Sequence, residues 1–96
     1  MALPEKCNHR ITTKEAANYI QSALQDNYSN GIKGGFFWGE QVKELLSQEG
    51  CAGLRYYFAK GDDGKATIVL KGVNNNGKDM DTIILEKARP CPPFCD

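Results

Sequence analysis

Catalytic vocabulary is sparse in this chain. It holds a single histidine, His9, and no G-x-S-x-G, H-E-x-x-H or Walker-type glycine loop. Residues 31–39 are rich in glycine but lack the lysine–serine or lysine–threonine ending that grips a phosphate. With no nucleophile–base set in view, the sequence reads as a non-enzyme. A surplus of either charge is also missing: 12 basic and 12 acidic residues cancel to a formal net charge of zero. That argues against a dedicated nucleic-acid binder and against a polybasic membrane surface, both of which need excess cations on one face. No apolar run approaches the length that spans a bilayer. The stretch 1–7 has no apolar h-region of a secretory signal, so the expected location is the cytoplasm, where thiols stay reduced.

What is present is an ordinary globular balance. Hydrophobic residues make up 41% and charged residues 25% of 96, enough for one domain with a modest core. The domain is expected to span 1–96, with an irregular leader at 1–11 and a Cys/Pro tail at 88–96. Its centre is a hairpin signal. Strand runs at 54–59 and about 66–73 flank the turn Gly61-Asp62-Asp63-Gly64, whose residues supply positive φ and local side-chain bonds. The acidic pair Asp62–Asp63 offers too few oxygen ligands for a calcium loop and reads as a solvated turn. Alternation puts Leu54, Tyr56 and Phe58 on one face, expected to be the core face, with Ile68 and Leu70 likewise sharing one face of the next strand. A second turn at Asn74-Asn75-Asn76-Gly77 leads to a third strand at about 81–87.

Two helices precede the strands. Thr12-x-x-Glu15 is a capping box, and Ala16, Tyr19, Ile20, Ala23 and Leu24 recur at helical spacing as one stripe, expected to pack in the core. The second helix is expected at about 39–49, with Trp38, Val42, Leu45 and Leu46 as its apolar stripe. Gly50 takes the C′ position, and Cys51 packs back on Leu46 as an inert thiol. Between the helices, residues 32–39 read either as a short strand or as the lead-in to the second helix, and their three consecutive aromatics as core.

Segregated helices and short strand connections predict an α+β fold: two N-terminal helices packed on one face of a three-stranded antiparallel β-meander. The other face would carry Tyr57, Val69, Val73 and Ile84, apolar enough to need cover by the tail, a second copy or a partner. The functional expectation is a small non-catalytic module for protein–protein interaction or regulation, its binding residues Tyr57, Val69, Val73 and Phe94, its partner another protein or a second copy, with no nucleic acid or membrane. No cofactor is needed.

The cysteines carry the alternative. Cys91 and Cys95 stand three residues apart, a spacing zinc sites tolerate, and Cys7 with His9 completes a Cys₃His set if leader and tail lie together. The same pair fits ordinary thiols or a disulfide. The tail itself, Cys91-Pro92-Pro93-Phe94-Cys95-Asp96, lacks two backbone donors and cannot be a central strand. It is expected to fold back over the domain with Phe94 substantially buried and the two cysteines close together.

The succession Phe-Trp-Gly-x-x-Val, Gly-Cys-x-Gly-Leu-Arg-Tyr-Tyr-Phe, Gly-Asp-Asp-Gly-Lys-x-Thr-Ile-Val-Leu-x-Gly-Val, Ile-Leu-Glu and Cys-Pro-Pro-Phe-Cys, over about residues 32–95, resembles a family of small bacterial proteins without an established activity. The resemblance implies a compact bacterial domain that includes its Cys-Pro-Pro-x-Cys ending. It implies no particular function.

Overall fold

The computed structural model describes residues 3–23 and 32–91. Helix α1 (Thr13–Ala23) is followed by strand β1 (Gly34–Phe36), helix α2 (Gly39–Leu46), strands β2 (Cys51–Lys60), β3 (Ala66–Asn74) and β4 (Asp79–Leu85), and a short strand β5 (Arg89–Cys91). β2, β3 and β4 form an antiparallel sheet in that order, so the α+β class and the meander are both present. β1 and β5 form a second, two-stranded antiparallel sheet.

The hairpin register follows from the turn. Tyr56 faces Leu70, Phe58 faces Ile68 and Lys60 faces Ala66. The Asp63 carboxylate accepts from the Lys65 N–H at 3.0 Å, and Gly64 takes a φ of 77° that side chains rarely adopt. In the second turn Asn74 Oδ1 accepts from the N–H groups of Asn76 and Lys78, and Gly77 sits at φ 81°. β2 is longer than the alternating run suggests. It begins at Cys51, with a bulge between Cys51 and Gly53. β4 begins and ends two residues earlier than expected, because Lys87 takes a φ of 59° and cannot extend a strand.

The capping box forms as the sequence demands. The Thr12 N–H donates to Glu15 Oε1 at 2.9 Å, and the Glu15 N–H donates to Thr12 Oγ1 at 3.1 Å. The bond from Thr12 N–H holds the Glu15 carboxyl below its ordinary range. Helix α2 stops at Leu46, sooner than expected, and the Ser47 N–H closes its last turn on the Lys43 carbonyl.

The core is small and sits between α2 and the larger sheet. Leu45 is fully buried and Leu70 nearly so on that side, while Val73, nearly as buried, belongs to the opposite face of β3. Helix α2 contacts β2, β3 and β4. At Gly72 the segment ending α2 comes so close that an added Cβ would lie 2.8 Å from Gln48 Nε2 and 3.2 Å from Cys51 Sγ. Cys51 is half-buried rather than buried, and its thiol donates to the Gly53 carbonyl at 3.2 Å.

Expected burial fails on β2 and on α1. Leu54, Tyr56 and Phe58 share a face, but they are 41%, 57% and 70% exposed, so that stretch of the face is not core. Alternation assigns residues to a face without saying what covers it. The stripe of α1 is likewise exposed: the helix buries none of its residues, with Tyr19 at 62% and Ile20 at 52%. Leu24, the last residue of that stripe, lies outside the described residues.

Segment 32–39 holds both a short strand and the lead-in to α2, but its aromatics are not core: Phe36 is 47% and Trp38 62% exposed, and in the stripe expected of α2 only Leu45 is buried. The middle of the segment is β1, pairing Gly34 with Cys91 and Phe36 with Arg89, and its end runs into α2. Gly35 lies where an added Cβ would be 2.6 Å from the Ala88 Cβ, so only glycine lets these two strands meet. Pro90 is tolerated because a two-stranded ribbon leaves one edge of each strand without a ladder partner.

Candidate protein-interaction surface

The two faces of the larger sheet differ in kind. On the Tyr57 face, cross-strand pairs build a polar ladder. Arg55 Nη1 meets Asp79 Oδ1 at 2.5 Å, and the Tyr57 hydroxyl donates to the other oxygen of the same carboxylate. Lys71 Nζ meets Asp81 Oδ1 at 2.8 Å and stands 5.8 Å over the Tyr57 ring, while the Thr67 hydroxyl donates to Glu86 at 3.1 Å. The bond from Tyr57 is the main reason the Asp79 carboxyl is held below its ordinary value; Arg55 adds to it and burial acts against it. The Asp79 bond keeps Arg55 firmly protonated, and Asp81 does the same for Lys71.

This is the face expected to be apolar and in need of cover. Val73 is buried and Val69 half-buried, Tyr57 is engaged through its hydroxyl and its ring, and Ile84, opposite Lys71, is 48% exposed. Phe94, the fourth expected binding residue, lies outside the described residues, and so does the predicted docking of the tail.

The opposite, Tyr56 face carries the exposed apolar surface. Tyr56 and Phe58 meet edge-to-face with ring centroids 5.6 Å apart, and Leu54 continues the row. Their partners across the ladder are Ile68, Leu70 and Gly72. Helix α2 reaches the Gly72 end, which leaves the aromatic end open to solvent. Three large apolar side chains, each more than two-fifths exposed, stand in one row on this face. No polar atom on these residues competes for the contact except the Tyr56 hydroxyl.

A concavity of about 860 Å³ lies where the small sheet and α2 meet the end of β4. Phe36 and Trp38, packed edge-to-face at 5.3 Å, wall it with Ile84, Lys87 and Arg89.

The cysteine set is only partly assembled. Cys7 Sγ lies 3.5 Å from His9 Nδ1, on the exposed leader. Cys91 is disulfide-bonded and Cys7 and Cys51 are free; Cys95 lies outside the described residues. Among the described residues no group of three or more His, Cys, Asp or Glu side chains could hold a metal ion. Nor is any helix among them long and apolar enough to cross a membrane.

The row at Leu54, Tyr56 and Phe58 is legible in the sequence as one face but not as surface; what exposes it is the length of α2, too short to cover a strand of ten residues. Comparison with protein-family models, curated proteins and solved structures returned no match.

Proposed function

We propose that this chain is a small non-catalytic module that binds protein through the Tyr56 face of its sheet. The observation that carries the reading is the exposed row Leu54, Tyr56 and Phe58. An aromatic pair of this kind supplies large contact area with few rotatable bonds, which is what an interface anchor needs. The neutral overall charge supports protein over nucleic acid as the partner. Capture from the native host with chemical cross-linking tests the reading. A partner retained by the wild type and lost by Tyr56→Ser/Phe58→Ser, at unchanged secondary structure, supports it. Equal capture by both proteins contradicts it.

A metal- or thiol-dependent role for Cys91 and Cys95 with Cys7 and His9 rests on the Cys7–His9 approach alone. A disulfide-bonded Cys91 is not a thiolate donor until it is reduced. Stoichiometric zinc in protein purified under reducing conditions, with unfolding on chelation, would favour that role over ours. The compartment belongs to the same proposal. Disulfides persist where the surroundings are oxidising, so the bond at Cys91 supports such a compartment over the cytoplasm expected from the sequence. Thiol trapping in the host distinguishes the two.

A further inference from the structure

Resting on the reading that the Tyr56 face binds protein, we propose that the partner is a second copy of this chain, and that helix α1 of each copy docks on the Tyr56 face of the other. One chain carries both halves of a complementary contact. Helix α1 has 11 residues, and helices of that length are marginal in water unless an apolar face is packed. Its Tyr19 and Ile20, side by side at three and four residues beyond Ala16 on the same broad stripe, are exposed. The Tyr56 face offers an exposed apolar row of matching reach. Helix α1 is about 16 Å long, and Leu54 to Phe58 spans about 14 Å along β2.

The geometry of exchange follows from symmetry. A two-fold axis that places α1 of one copy on the sheet of its partner places the partner's α1 on the first sheet, so the contact forms twice. The exposed parts of Leu54, Tyr56, Phe58, Tyr19 and Ile20 amount to roughly 500 Å² per copy, taking about 200 Å² for each whole side chain. Over two copies, if all of it is covered, that reaches about 1,000 Å², the lower limit for a specific interface and the size of a weak, reversible one. A single contact made once would fall short. Zero formal net charge leaves no overall repulsion between copies. A foreign partner would have to bring its own apolar helix, whereas a second copy brings one already placed.

Light scattering coupled to gel filtration, on the full chain, reads the mass; isotope-filtered NMR on a mixture of labelled and unlabelled chains reads the contact. The expected result is a dimer, with intermolecular contacts between the Ile20 methyl groups of one copy and the Tyr56 and Phe58 rings of its partner. Ile20→Asp on the helix and Phe58→Ser on the sheet should each weaken the dimer at least tenfold. Both positions are exposed in the single chain, so both variants are expected to fold, and circular dichroism checks it. A monomer at NMR concentration overturns the proposal. So does a dimer that survives both substitutions, which would point to pairing along the outer edge of β2 instead. Contacts between Ile20 and Phe58 within one chain only would also overturn it. If the chain is monomeric yet still captures a host protein that Phe58→Ser releases, the dimer fails while the protein-binding reading stands.

Discussion

Single residues decide which parts of this chain are structural. Leu45 is fully buried between α2 and the sheet, and Leu70 is nearly so. Leu45→Ala and Leu70→Ala should each cost about 2–5 kcal/mol in a denaturant melt, as truncations in a core do. Phe58→Ala should cost far less, since the ring is 70% exposed. A Phe58 variant as unstable as the Leu45 one would show that the ring is core after all. Gly35 and its neighbour Gly34 make a matched pair. A Cβ at Gly35 meets Ala88 at 2.6 Å, and one at Gly34 meets nothing within 4 Å. Gly35→Ala should therefore destabilise by about 1–3 kcal/mol through overpacking, and Gly34→Ala should not, with Trp38 fluorescence following both melts.

At the scale of elements, the turns, the capping box and the β2–β3 register were legible, because each is fixed by residues close in sequence: Gly64, the Thr12–Glu15 pair, and the alternation that sets Tyr56 against Leu70. What was not legible depends on distant residues. Arg55 and Asp79 are 24 positions apart, and nothing local says they meet. The β1–β5 pairing joins two three-residue strands, one of them containing Pro90, too short for any periodic signal. The Tyr57–Asp79–Arg55 cluster ties β2 to β4 across β3, and this gives it a pH signature. The folded Asp79 carboxyl titrates below its ordinary value of 3.8, so its contribution is complete above that pH and is lost as pH falls through the lowered folded value. Asp79→Asn should melt lower than wild type at neutral pH, and the gap between the two should close on acidification below pH 3.8. A gap that persists unchanged in acid would mean that the carboxylate charge contributes nothing to the fold.

For the whole molecule, the account turns on a mismatch between cover and surface. The larger sheet has strands of ten, nine and seven residues, and the helix in contact with all three has eight. A helix rises less than half as far per residue as a strand, so α2 cannot cover the face it packs on. The remainder, at Leu54, Tyr56 and Phe58, is exposed, and so is the stripe of α1 at Tyr19 and Ile20. The sequence pattern had put all five residues in one core. Their apolar character agrees with burial, but in the single chain they stay exposed. Burial of these exposed surfaces between molecules, as proposed above, restores that agreement.

Sedimentation velocity of the wild type and of Tyr56→Ser, over a wide range of concentration and at matched circular dichroism, tests this claim most directly. The account predicts that the wild type sediments as an associated species that dissociates on dilution, and that the variant sediments as a monomer at concentrations where the wild type is associated. Identical monomeric behaviour of both proteins at every concentration, with the same thermal melt, would contradict it.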